Sequence, residues 1–366
     1  MKTALIRPFA NYISKQIKRD SKNALKDQQR LQKSLVKAAR STQFGRDHDF
    51  KNIKTYEDFK TKIPIRDYEG LKGYFEKIKE GAKDVLWPGK PKYFAKTSGT
   101  TSGVKYIPVS SASVPNHINS ARNALFNYIS GNKTSQIFDG KVIFLSGAPT
   151  LSVTGGVKTG RLSGIVNHEV PSWLRSNQLP SYETNCIEDW EEKVDAIVEE
   201  TYDQDLRIIS GIPPWVLMYF EKLLVKTGKK YIKDIFPNFS VFAYGGVSFE
   251  PYRTSINEII GKEVDMIETY PASEGFIAYS TELNHESLLL NTNSGIFYEF
   301  VKADTIFDKN PIRVDLSGVD KDIDYALIIN NNAGLWGYNI GDLVRFVSLD
   351  PYKIIVSGRI KHFISA

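Results

Sequence analysis

From about residue 8 to residue 39, apolar side chains recur at three- and four-residue steps in Ile13, Ile17, Leu25, Leu31 and Leu35, which predicts one long helix. Thr42-Gln43-Phe44-Gly45 ends it. Two shorter helices follow, over residues 56–59 and 68–79, separated by Ile63-Pro64-Ile65, an extended connector fixed by its proline. Beyond residue 110 the pattern alternates. Helical stretches at about 110–130, 190–201, 215–226 and 252–260 are interleaved with apolar runs at 142–146, 206–210, 241–244 and 264–270, and the runs end in Gly, Ser or Pro turns. This predicts a mixed, largely parallel α/β sheet flanked by helices, in which ligands sit beyond the carboxyl ends of the strands. From about Leu288 only short strands remain, at 295–301, 324–329, 343–347 and 353–356, which reads as a smaller β-rich, barrel-like subdomain packed on the first. The resulting division is a basic N-terminal helix (1–40), an α/β core (41–285), the β-rich part (286–357) and a terminal stretch (358–366).

Composition narrows this picture. A chain of 366 residues that is 41% hydrophobic, with 19 Tyr and 20 Phe, buries a large core and is not disordered. Its net charge of +6 favours anionic ligands without choosing among them. Much of the excess lies in Lys15, Lys18, Arg19, Lys22, Lys26, Arg30, Lys33, Lys37 and Arg40. A solvated helix face explains such a run most economically, and a membrane-surface helix with Leu5, Phe9, Ile13 and Ile17 on one side is the alternative. No aromatic residue is interleaved with these charges, which argues against nucleic acid. Cys186 is alone, so no intrachain disulfide forms and a reducing, cytoplasmic setting is expected. His48, His117, His168, His285 and His362 have no paired ligand spacing, and no run of eighteen apolar residues predicts a membrane span.

The chemistry concentrates in Thr97-Ser98-Gly99-Thr100-Thr101-Ser102-Gly103-Val104-Lys105, a polar loop expected between strands at 93–96 and 106–109. Glycines turn backbone N–H groups toward an anion, hydroxyls add donors and the lysine adds a point charge, a set suited to polyphosphate. It is not a Walker loop, because three residues separate its glycines and strand, not helix, follows. The same residues also serve a plain hairpin turn. The Gly/Ser/Thr-rich segment 147–164 reads equally as a site lining or as a surface connection. Later stretches offer further candidates. Tyr244-Gly245-Gly246-Val247 lets a flat base approach the backbone. Tyr270-Pro271-Ala272-Ser273-Glu274-Gly275 sets a carboxylate beyond a strand, where it suits Mg²⁺ against phosphates. Tyr338-Asn339-Ile340-Gly341-Asp342 offers two oxygens to a ribose diol, and Gly358-Arg359-Ile360-Lys361-His362 ends in charge that suits sugar or phosphate. Each of these also has an ordinary turn reading.

Taken in order, this series resembles the signature motifs of adenylate-forming enzymes, the acyl-CoA synthetases, peptide-synthetase adenylation domains and luciferases. Thr42-Gln-Phe-Gly-Arg-Asp-His48, Ile63-Pro-Ile-Arg-Asp-Tyr-Glu69, Leu86-Trp-Pro-Gly89 and Tyr93-Phe-Ala-Lys-Thr-Ser-Gly-Thr-Thr101 are similar to one branch, the Gretchen Hagen auxin-responsive acyl acid-amido synthetases and their bacterial relatives. The resemblance implies the large N-terminal domain of an ATP- and Mg²⁺-dependent ligase that activates a carboxylic acid as an acyl-adenylate and transfers it to an amine, typically an amino acid's. By that resemblance Ser98, Gly99, Thr100 and Thr101 cradle phosphates, Lys105 beside them and Glu274 are the catalytic residues, Glu274 also holding the metal, and Ser273 contacts the nucleotide. Gly246 and Tyr270 flank the adenine, Asp342 grips the ribose, Arg359 contacts the nucleotide and Lys361 takes the hinge position. Asn339 and Ile340 depart from the Arg and Leu or Thr common before Gly-Asp, and Pro271 stands where a small residue is common. The family continues into a small C-terminal lid after the hinge. Two alternatives remain open at this level: a carboxylate–CoA ligase, and a nucleotide-binding protein without turnover because the lid is missing.

Overall fold

A computed structural model describes residues 2–99, 103–283 and 286–360. Sixteen strands fall into two sheets. They are β1 (Tyr93–Gly99), β2 (Gly103–Val109), β3 (Lys141–Phe144), β4 (Ser152–Thr154), β5 (Val157–Gly160), β6 (Gln178–Leu179), β7 (Leu206–Ser210) and β8 (Val241–Gly245). The second half supplies β9 (Asp265–Ala272), β10 (Gly275–Ser280), β11 (Leu288–Leu290), β12 (Ile296–Lys302), β13 (Arg313–Asp315), β14 (Asp324–Asn331), β15 (Tyr338–Leu349) and β16 (Tyr352–Arg359). The small sheet has the order β2-β1-β5-β4, and the large one β13-β12-β14-β15-β16-β11-β10-β9-β8-β7-β3-β6. Strands β6, β3, β7, β8 and β9 run parallel, and every pairing from β9–β10 onward is antiparallel. The chain is therefore mixed α/β with two mixed sheets. The antiparallel strands beyond residue 288 extend the large sheet edge to edge and do not form a sheet of their own.

The parallel strands read as continuous apolar runs because both of their faces are covered. Val241 and Ala243 point into a core shared with the helices Lys2–Lys22 and Val114–Gly131. Phe242 and Tyr244, next to them in sequence, point into the opposite core, under the helices Trp190–Thr201, Pro213–Thr227 and Glu250–Ile260. This is the two-residue alternation of a strand. Caps fix several helix starts: Thr55 and Asp58 form a reciprocal capping box, and Asp189 accepts from the N–H of Glu192.

Two boundaries differ from expectation. The N-terminal helix begins at Lys2, carries Pro8 within its second turn, and breaks at Asn23 into a second helix, Ala24–Ala39. Each half docks on a different partner. Ile13 and Ile17 pack in the core formed with Val114–Gly131, whereas buried Gln28 donates to Thr292 O and Ile296 O and accepts from Tyr298 N, all at 2.8 Å. Periodicity could not separate the two, since the turn between them keeps the apolar step. The polar stretch 97–105 is also more strand than loop, because its register continues to Gly99 opposite Gly103.

Candidate active site

The hairpin β1–β2 carries Ser98 and Gly99 at the end of one strand and Lys105 opposite Thr97 on the other. Thr100 and Thr101, expected to cradle phosphate, and Lys361, expected at the hinge, lie outside the described residues. Gly103 starts β2 at φ +73°, a value that favours glycine. Lys105 Nζ lies 5.7 Å from the centre of the Tyr68 ring, and the Tyr68 hydroxyl accepts the N–H of Tyr106 at 3.0 Å. The helix Tyr68–Lys79 thereby braces the hairpin beside its lysine. From the other side the segment 147–164 supplies β4 and β5, and β5 runs parallel to β1 from Lys158 opposite Tyr93 to Gly160 opposite Ala95. It is thus a structural support for the hairpin, turned by Gly155 and Gly156. A Cβ on Gly155 would fall 2.1 Å from Lys79 O.

Strands β9 and β10 form a second hairpin whose turn is Ser273-Glu274, with Gly275 opposite Ala272. Pro271 lies within β9, not in the turn, and faces Phe276 across the ladder. Proline brings no N–H to that pairing. Asn116 holds the facing residue: its Oδ1 accepts from Phe276 N at 2.7 Å and its Nδ2 donates to Phe276 O at 3.2 Å. Asn331 Nδ2 donates to Glu274 O at 2.7 Å, and a Cβ on Gly275 would meet Ile296 Cδ1 at 2.5 Å. The backbone that carries Glu274 is fixed on both sides.

Around Glu274 the charges converge. The Tyr270 hydroxyl donates to Asp342 Oδ2 at 2.7 Å, and Arg359 Nε lies 2.9 Å from Asp342 Oδ1. Asp342 and Arg359 are direct neighbours across β15 and β16. Burial raises the Asp342 carboxyl, while the Tyr270 hydrogen bond and Arg359 pull it back down. Burial also raises Glu274, as does the nearby Asp342 charge, and Lys105 and Arg359 oppose that rise. Tyr270 is pushed well above the usual phenol range by burial and by Asp342. Lys105, Glu274, Asp342, Arg359 and Tyr270 therefore share one electrostatic neighbourhood.

The expected Gly246 turn lies alongside. Gly245 ends β8 opposite Thr269, one residue before Tyr270, and a Cβ there would fall 2.2 Å from Thr269 O. Gly246 follows at φ +83°. Ser273 is half-buried in the turn next to Glu274. Asn339 has a local role: its Oδ1 accepts the N–H of Gly341 at 2.9 Å and its own N–H donates to Arg66 O at 2.8 Å, shaping the bend that presents Asp342. His168 Nε2 lies 2.7 Å from Pro149 O, and Arg207 pairs with Asp205, so neither joins the cluster. Sequence reasoning missed Asn116 and Asn331, polar side chains on distant segments that carry no motif, and gave no role to Tyr68, which lies within the quoted stretch Ile63 to Glu69. The only signal was Pro271, whose missing N–H requires a donor from somewhere.

Comparison with known proteins gives consistent results. The model described as "GH3 family N-terminal domain" matches residues 13–166 and 153–266, and that of the "GH3 family central domain" matches residues 289–359. A curated relative, "Jasmonoyl--L-amino acid synthetase JAR4" of Nicotiana attenuata, is 21% identical over 352 residues, covering 78% of this chain and 60% of its own. The chain thus spans about 60% of that relative's length. Among solved structures, the AtGH3.15 acyl acid amido synthetase in complex with 2,4-DB superposes with a TM-score of 0.76 at 14% identity, over 95% of this chain and 70% of that one. An open conformation of 2-hydroxyisobutyryl-CoA ligase reaches 0.56 at 12% identity, over 90% and 73%. At these identities the likeness is one of fold.

Proposed function

The chain belongs to the GH3 family, and from that premise we propose that it forms the nucleotide-binding part of an ATP-dependent ligase that activates a carboxylic acid and passes its acyl group to an amine. The observation that carries this reading is the placement of Glu274 among Lys105, Asp342 and Arg359. In the first step a carboxylate oxygen bonds to the α-phosphorus of ATP and the bond to the β-phosphate bridge breaks, so pyrophosphate leaves. In the second the amine nitrogen bonds to the acyl carbon, AMP leaves and a proton is released. The first step brings one anion onto another. Positive charge held in place before the reaction lowers that barrier most effectively.

In this reading the hairpin backbone and Lys105 face the phosphates, Tyr270 and the Gly245-Gly246 turn flank the adenine, and the ribose diol meets Asp342. Arg359, whose side chain is 64% exposed, is the partner of Asp342 that can swing to the nucleotide. The donor set fits Mg²⁺. No group of three or more His, Cys, Asp or Glu forms a cage among the described residues, and a single carboxylate on a fixed turn is what Mg²⁺ uses when phosphates and waters complete its shell. Bound there by Glu274, Mg²⁺ would neutralise phosphate charge. That the matched relatives are named as amido and amino acid synthetases supports an amine acceptor, and amine-dependent rather than CoA-dependent release of AMP distinguishes it from the thiol acceptor of a CoA ligase.

The test is calorimetric titration with ATP in Mg²⁺ and in EDTA. Saturable one-to-one binding is expected, strengthened by Mg²⁺. Glu274→Ala should weaken binding roughly tenfold in Mg²⁺ and leave binding in EDTA unchanged. Absence of binding by the wild type, or an unchanged magnesium dependence in the variant, removes Glu274 from the site.

A further inference from the structure

The net positive charge of this protein comes from its first forty residues. Residues 1–40 hold eleven Lys and Arg against two Asp, a net +9, so the rest of the chain carries −3. The two aspartates are already met, Asp20 by Arg19 and Asp27 by Arg30. Lys15, Lys18, Lys22, Lys26, Lys33 and Lys37 are all exposed and form no ion pair among the described residues. The helix that leads this segment, Lys2–Lys22, is firmly seated. Ala10, Ile13 and Ile17 are buried, and the Arg7 guanidinium donates to Ile129 O, Asn132 O and Ser135 O at the end of the helix beneath it.

Its outward face is not what a seated surface helix presents. Leu5 is 82% exposed, Phe9 49% and Tyr12 56%, and the last two rings stack 6.3 Å apart. On a helical period, Leu5, Tyr12 and Arg19 form one stripe and Pro8, Lys15 and Lys22 the next, each spaced by seven. One face of a rigid helix therefore offers an apolar, aromatic N-terminal half and a basic C-terminal half. The apolar pair expected from periodicity, Ile13 and Ile17, is on the opposite side and spent on the core. Nucleic acid would use the charge and leave Leu5 and Phe9 in water. An acyl-chain boundary beneath anionic headgroups takes both.

We infer that this face is a peripheral docking surface for an anionic phospholipid bilayer, with Leu5, Phe9 and Tyr12 entering the headgroup boundary and Lys15, Lys18, Arg19 and Lys22 meeting the lipid charge. The helix is held by the body of the protein before contact, so association needs no folding step. This inference is independent of the ligase reading. It concerns where the protein sits, not what it binds between its sheets.

The experiment is co-sedimentation of the whole chain with vesicles of pure phosphatidylcholine and of phosphatidylcholine containing about 30% phosphatidylserine, across a salt series. The expected result is binding to the anionic vesicles only, weakened by salt. The Lys15→Glu, Lys18→Glu, Lys22→Glu variant should lose it by about tenfold or more. Leu5→Gln with Tyr12→Gln should weaken it at every salt concentration. Both variants change exposed positions, and an unchanged thermal melt verifies their fold. As a direct readout, Leu5→Trp should shift to shorter emission wavelength on the anionic vesicles. Failure of the wild type to sediment with them overturns the inference. So does equal binding to a short DNA duplex that the charge reversal abolishes and the Leu5/Tyr12 variant leaves intact, which would make the face a polyanion site.

Discussion

Glu268 lies on β9 two residues before Tyr270, and its carboxyl is pushed up to about 7 by burial first, then by Glu286 and Glu250, with Arg253 opposing. A folded-state value above that of the unfolded chain means the native state holds the proton longer. The destabilisation is absent below about pH 4.5, grows as pH rises, and is complete above about pH 7. Glu268→Gln removes the cost of burying the charge. It should raise Tm at pH 8 by the equivalent of about 1–2 kcal/mol, discounted for the solvent that still reaches the group, and leave Tm at pH 4 unchanged. Melting curves of both proteins at the two pH values decide it, and an equal shift at both would show a packing effect instead. At this scale the sequence was informative where a residue sits in a short motif: Glu274, Asp342 and Arg359 were each marked. That Asp342 and Arg359 answer one another was not legible, because sixteen residues separate them and only the β15–β16 register makes them neighbours.

Between residues and fold, the hairpins decide the site's precision. The β9–β10 ladder slips register between Phe276 and Ala278, next to the position where Pro271 offers no N–H. Asn116, buried on the helix Val114–Gly131, bonds both the N–H and the carbonyl of Phe276 and also donates to Ser294 Oγ at 2.9 Å. Asn116→Ala would leave a buried N–H unpaired, a loss of about 1–3 kcal/mol. It should lower Tm and, in the same protein, weaken ATP binding in Mg²⁺ more than in EDTA, because Glu274 sits two residues before Phe276. A drop in Tm with unchanged magnesium dependence would separate the hairpin from the metal. The alternation of strands and helices was legible where a parallel strand is apolar on both faces, as with Val241 to Tyr244. The strands β1 and β2 were cut short on paper because Ser, Thr and Gly read as loop. Their extension comes from the pairing of the two strands with each other, Thr97 opposite Lys105, Ser98 opposite Val104 and Gly99 opposite Gly103, while β5 supports β1 only from Tyr93 to Ala95.

Across the whole molecule, one sheet runs through the boundary between the two family matches. The two family matches part between residues 266 and 289, yet the strands on either side belong to one twelve-stranded sheet, and β10 is buried along its full length. Strand β11 pairs with β10 on one side and β16 on the other, and Gln28 ties the N-terminal helices to β12 across the same seam. The site straddles it too: Tyr270 and Glu274 come from before residue 285, Asp342 and Arg359 from after. A protein joined in this way should unfold in a single calorimetric transition, with van't Hoff and calorimetric enthalpies equal. A fragment of residues 1–285 would expose the edge of β10 and the face that carries Ile277, while Phe276 and Tyr279 keep their cover, an arrangement prone to edge-to-edge pairing. It should aggregate or fail to fold. Two resolved transitions in the full chain, or a soluble fragment with a cooperative melt, would show instead that the seam divides independent units. In that case the nucleotide site would form only when the two units dock, and ATP would raise the lower transition selectively. In the single-unit case ATP raises the one transition there is, by an amount set by its concentration relative to Kd.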